Sequence, residues 1–178
     1  MVSSLIMLHQ HHAPQCHLST ITPSIQSRIL VLSHVYQVFS KSPSASSCLF
    51  SDILGSVLDM VKRASSFPLS EGSIHLQLDA LSLSLSKACP MGLILYEILQ
   101  NVIQHAWPQR DGAQLKVHLS AISTTQSRLV IEDSGPGMPH DWSLDDHLGL
   151  QLVDLMAQQL DAQWSFKPSS GCLFELIY

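Results

Sequence analysis

Apolar residues recur at alternating steps of four and three after Thr22-Pro23, at Ile25, Ile29, Leu32, Tyr36 and Phe39, which predicts an amphipathic helix running to about Ser40. Thr22 can cap free amides and Pro23 at the first helical position forfeits no hydrogen bond, so the pair reads as a helix start. Leu30, Val31, Val35 and Val38 broaden the apolar surface, so this helix needs neighbours on more than one side. It is either a core helix of one globular unit or part of a helical hairpin that completes a four-helix bundle by dimerisation.

The loop-forming stretch Lys41 to Ser47 precedes a second amphipathic helix, about Leu49 to Ala64, with Phe50, Leu54, Val57 and Val61 on its inner face. After a break at Ser65 to Gly72, Ile74, Leu76 and Leu78 alternate with polar residues, as do Leu81, Leu83 and Leu85, predicting two short strands. Pro90 opens a helix of about Met91 to Ala106. Strands follow at Leu115–Leu119 and Leu129–Ile131, the latter ending in Glu132-Asp133. A helix after Gly149 and strands near Gln163–Phe166 and Leu173–Ile177 close the chain. Helices mixed with antiparallel hairpins in this order imply an α+β fold, a helical hairpin followed by an α/β sandwich with helices layered on one face of a mixed sheet. No internal repeat interrupts the pattern.

With 178 residues and 46% hydrophobic content, the chain can bury one core plus a smaller helical element. Nine Lys plus Arg against a net charge of −5, with no cationic cluster, exclude a nucleic-acid surface. Cys16, Cys48, Cys89 and Cys172 are widely spaced singles, the usage of reduced thiols in a cytoplasmic protein. The opening MVSSLIMLHQHH is too short to span a bilayer and has no basic flank, so no membrane contact is expected. Its apolar Leu5, Ile6 and Leu8 directly after the methionine suggest a helix whose earlier turns lie upstream.

Candidate chemistry begins in the predicted Met91 to Ala106 helix, where four-residue spacing sets Glu97, Asn101 and His105 on one stripe. An asparagine oxygen suits Mg²⁺ beside a polyphosphate, and a carboxylate can orient water or act as a base; a solvent-facing polar stripe would have the same spacing. Asp133 then stands at a strand end, before Gly135 and Gly137, whose freedom lets the backbone approach a ligand. A carboxylate there can accept a hydrogen bond from an exocyclic amine such as that of adenine. Leu148-Gly149-Leu150 opens a helix whose free amides attract phosphate.

The order Glu97–Asn101–His105-Ala106, then DSGPGM, then LGLQLV, then Gly171-Cys172-Leu173-Phe174 resembles the motif boxes of the histidine-kinase ATPase family, whose Bergerat-type superfold is shared with gyrase. The resemblance covers about Lys87 to Tyr178. It implies ATP and Mg²⁺ as cofactors: Asp133 on the adenine amine, Asn101 on Mg²⁺, and His105, Gly135, Gly137, Met138, Gly149, Leu150 and Cys172 around the nucleotide. Glu97 is the candidate catalytic residue. Upstream, SSLIMLHQ, SIQSRILVLSHVYQVFSKS and FSDILGSVLDMV are similar to the dimerisation region of a bacterial sensor-kinase subclass, implying residues 1–45 as a dimerisation region and 46–178 as the ATP-binding domain. A homodimer and a response-regulator receiver domain are the implied partners. In that subclass the phosphoacceptor lies just before the part matching Val2-Ser3-Ser4-Leu5; His9, His11, His12 and His17 lack its context, so none takes that role. Cys172 replaces the hydroxyl residue usual after the closing glycine, Asp145, Asp146 and His147 precede the second glycine turn, and no Lys or Arg lies between Met138 and Gly149. Three functions follow from this pattern: phosphoryl transfer to a histidine, a non-catalytic phosphotransfer or scaffold role, and an anti-sigma-factor serine kinase.

Overall fold

The computed structural model describes residues 18–44, 46–65, 73–106, 113–138, 142–168 and 171–178. Helix α1 spans Leu18–Lys41, and Pro23 lies inside it. Strand β1, Cys48–Leu49, leads into α2, Phe50–Ala64, one residue from the predicted start. Strands β2, Ile74–Leu78, and β3, Ser82–Leu83, precede α3, Leu85–Asn101. Strands β4, Leu115–Ala121, and β5, Ser127–Asp133, form a hairpin; α4, Leu148–Gln159, then leads to β6, Gln163–Pro168, and β7, Cys172–Ile177. The four histidines of the opening segment lie outside the described residues.

Five strands form one mixed sheet in the order β2-β4-β5-β7-β6, with β2 parallel to β4 and every other pair antiparallel. Alternation sets Leu115, Val117 and Leu119 of β4, and Leu129, Ile131 and Asp133 of β5, on the buried side. Residues of the other phase carry charge: Lys116 pairs with Glu132, while Lys167 and Arg128 both pair with Glu175. These contacts hold Glu175 below the usual carboxylate range, Lys167 contributing most. The predicted Leu81–Leu85 strand shortens to Ser82–Leu83, which leaves the main sheet and pairs with β1.

Its shortening has a local cause. The Ser84 carbonyl accepts the amides of Lys87 and Ala88 at 3.0 and 2.8 Å, so α3 begins at Leu85 and Pro90 falls in its second turn. Proline there withholds an N–H from the Ser86 carbonyl, and Ser86 is exposed, where water can take the vacant bond. From Ala88 to Leu95 α3 is buried on every side, and it packs against α1, α2 and α4 within the core that the sheet shares.

The inner face of α1 is turned from the predicted one. Arg28, Val31, Leu32 and Val35 are buried, whereas Ile29 and Tyr36 are 41% and 55% exposed. Gly92 accounts for part of this rotation: a Cβ there would lie 2.5 Å from Val35 Cγ2, so α1 crosses α3 where the backbone leaves room. Among the described residues no helix is long and apolar enough to cross a membrane.

Two glycines in helices therefore have opposite mutational signs. Gly92→Ala gains about 1 kcal/mol of helix propensity but forces an overpacked contact worth roughly 1–3 kcal/mol on a stiff valine, so it lowers the urea midpoint. Gly55 of α2 has nothing within 4 Å of an added Cβ, and Gly55→Ala raises the midpoint by about 0.5–1 kcal/mol of stability.

Candidate functional site

Helix α3 stays α-helical to Asn101 and then widens into a π turn over Val102–Ala106. Such turns fit an extra residue into the helix and re-aim the side chains after it. Ile98, Asn101, Val102 and His105 all face a cavity of about 260 Å³. Across it stand Ile131 and Asp133 of β5, Cys172 and Phe174 of β7, and Phe166 of β6. The ladder makes this grouping: Ile131 is in register with Phe174, and Phe174 with Phe166. Pro136, Gly137 and Met138 of the loop after β5, together with His147 and Leu150 at the start of α4, complete the lining.

Asp133 is only 7% exposed. Its Oδ1 accepts the Gly135 amide at 2.7 Å and the Cys172 amide at 3.3 Å; among the described residues Oδ2 takes part in no hydrogen bond. The segment before β7 closes tightly on this strand end, since a Cβ at Gly171 would lie 2.1 Å from the Asp133 carbonyl oxygen. Gly137 has φ +81°, a left-handed conformation that favours glycine, and an added Cβ would meet the Gly171 carbonyl oxygen at 3.1 Å. Two close backbone approaches thus hold the aspartate's loop against β7.

Seven of the ten candidate residues converge on this cavity: Asn101, His105, Asp133, Gly137, Met138, Leu150 and Cys172. Glu97, Gly135 and Gly149 do not line it. Gly135 is buried behind the loop as a donor to Asp133. Glu97 turns away from Asn101: its carboxylate receives the Arg28 Nε at 2.8 Å and Nη2 at 3.2 Å, in a buried two-point ion pair. Gly149 faces that carboxylate, where a Cβ would sit 2.6 Å from Oε2. Four-residue helical spacing carries a rotation of about 40°, enough to send Glu97 toward α1 and α4 and Asn101 toward the sheet.

Sequence reasoning missed Ile131, Phe166 and Phe174 as lining residues. Ile131 was within reach, since it lies two positions before Asp133 on the same face. Phe166 depended on the β6–β7 register. It packs edge-on against Phe174 at 5.7 Å and against Trp142 at 5.6 Å, so an aromatic cluster forms one wall.

No family model matches the sequence. The chain is 28% identical over 144 residues to blue-light-activated histidine kinase 2 of Erythrobacter litoralis, a match covering 79% of this chain and 42% of that protein. It superposes on the blue-light-activated histidine kinase EL346 of Erythrobacter litoralis with a TM-score of 0.73 at 24% identity, over 90% of this chain and 55% of that one. This is a domain of the histidine-kinase ATPase type. The histidine kinase ShkA, solved in complex with AMPPNP, shares its fold at a TM-score of 0.53 and 15% identity, over 99% of this chain and 45% of that one. The chain spans about half the length of the relatives it matches.

In this kinase-type domain, burial pushes Asp133 above the ordinary carboxylate range, against the two amides that pull it down, and Glu132 adds to the rise. The Cys172 thiol is pushed up to about 12 by burial first and then by Asp133, which keeps it protonated and chemically quiet at neutral pH. A group whose folded value is raised contributes stability at low pH and loses it as pH rises through that folded value. Asp133 therefore opposes folding at neutral pH, while asparagine keeps the carbonyl that both amides need. Asp133→Asn is expected to raise the melting temperature of the nucleotide-free protein at pH 7, with the gain shrinking on acidification; thermal melts across pH 4–8 measure it.

Proposed function

We propose that this chain is the ATP-binding catalytic portion of a two-component sensor histidine kinase, with residues 1–45 as its dimerisation region and 46–178 as its nucleotide-binding domain. The observation that carries the reading is that Asn101 and Asp133, from a helix and a strand far apart in sequence, line one cavity. The residues fit the group. Asp133 Oδ2 is an acceptor without a partner among the described residues, suited to the adenine amine, while Met138, Leu150, Phe166 and Phe174 supply apolar walls for a purine. At about 260 Å³ the cavity is near the lower end of small-molecule sites, roughly 300–1,000 Å³, so it encloses the base and leaves the phosphates toward the open side.

Asn101 would hold Mg²⁺ through its side-chain oxygen, with His105 beside it, and the bound metal would neutralise charge on the transferred phosphoryl group. The two-point hold on Glu97 by Arg28 argues for a supporting part rather than proton transfer. A receiver domain of a response regulator, self-association through the N-terminal helices and a cytoplasmic location complete the proposal. The relatives are histidine kinases, hence phosphotransferases, which favours turnover. A second reading, a non-catalytic two-component scaffold that retains the nucleotide site, draws on one fact: no Lys or Arg is among the described lining residues to grip a triphosphate. Transfer of labelled γ-phosphate to a histidine separates the two.

The site assignment is tested by calorimetry with ATP, with and without Mg²⁺. Asp133→Asn puts a donor or a weaker acceptor opposite the amine and is expected to weaken binding about 10-fold or more. Asn101→Ala is expected to remove the Mg²⁺-dependent part of the affinity. Unchanged affinity in both variants refutes the assignment.

A further inference from the structure

Arg28 and Glu97 are 69 residues apart in sequence, and neither touches the cavity, yet together they stand behind two of its walls. Glu97 lies one residue before Ile98 and four before Asn101, both of which line the cavity from α3. Its Oε2 occupies the space that a side chain at position 149 would fill, and His147 and Leu150, on either side of Gly149, line the cavity from α4. The seam between α3 and the first turn of α4 thus closes on a carboxylate whose plane is fixed by a guanidinium from α1.

We propose that Arg28 is a positioning residue for the nucleotide cavity, acting through Glu97 on the first turn of α4. The inference rests on the nucleotide reading above and deepens it: α1, the helix assigned to dimerisation, sets the distance between Asn101 and Leu150. Two observations separate this from simple core packing. A buried ion pair is a poor way to gain stability, since an apolar pair of equal volume holds helices at least as well, so the stability of the helix contact does not call for one. The contact is also a two-point fork, which fixes orientation as a single bond cannot. Glycine at 149 is what lets the oriented carboxylate bear directly on α4. Lysine at position 28 would keep the charge and lose the fork.

The experiment uses the full chain, with ATP and Mg²⁺ as ligand, and compares Arg28→Lys, Arg28→Met and the double variant Arg28→Met/Glu97→Gln. Calorimetry reads affinity, and thermal melting without nucleotide reads stability. Arg28→Met leaves a buried carboxylate unpaired and melts lower. In the double variant no buried charge remains, so the melting temperature returns toward that of the unaltered protein while ATP affinity stays at least about fivefold weaker. Arg28→Lys is expected to melt within a few degrees of the unaltered protein and to bind ATP several-fold more weakly; it keeps the proposal falsifiable if Arg28→Met does not fold. Affinity that returns together with stability in the double variant, or that is unchanged in Arg28→Lys, overturns the positioning role and leaves the nucleotide site standing. Absence of ATP binding by the unaltered chain overturns the nucleotide reading and this inference with it.

Discussion

The helical layer of this protein is organised around a charge pair taken out of water. Arg28 and Glu97 are both nearly inaccessible, and each depends on the other: removing one partner of such a pair typically costs about 3–5 kcal/mol, because the survivor stays buried and uncompensated. That penalty selects a rotation of α1. The helix presents Arg28, Val31, Leu32 and Val35 inward and leaves Ile29, Leu30 and Tyr36 toward solvent, although an apolar-only count favours a different face. Gly92 and Gly149 are the steric complement. One admits Val35 where α1 crosses α3, and the other admits the glutamate where α3 meets α4.

On the sheet side a different constraint operates. The turn after β5 and the start of β7 are pressed together until backbone touches backbone at Gly171, and the Asp133 carboxylate is drawn into that contact by two amides. Burial works against the charge while the amides work for it, and burial prevails. An acid held in this way destabilises the empty protein and is available to a ligand that can donate to its second oxygen. Stability given up at a binding site in exchange for complementarity is a common pattern in proteins.

Much of the architecture was legible in the sequence, because period-two alternation in β4, β5 and β7 and the amphipathic pattern of α2 each admit one burial phase. Asn101, Asp133 and the glycines around them could be read from residue chemistry and order, and the cavity brings the asparagine and the aspartate together. The start of α3 was not legible. Proline usually marks a first turn, but here an exposed Ser86 carbonyl tolerates the lost bond and Ser84 starts the helix earlier. Nor was the orientation of Glu97, which shares a helical stripe with Asn101 yet answers to an arginine two helices away. Sequence spacing reports neighbours along one helix, and this choice was made between helices.

The π turn that follows Asn101 has a bearing on length variation. Val102–Ala106 holds one residue more per turn than an α-helix of the same rise, so a one-residue deletion there can be absorbed by reverting to ordinary helix. The remainder of the segment would then rotate by about 100°, and His105 would leave the cavity while Asn101 stayed in place. An in-frame loss of a single codon could therefore change the ligand-facing surface of this helix without disturbing its fold, a kind of change that point substitution alone does not offer.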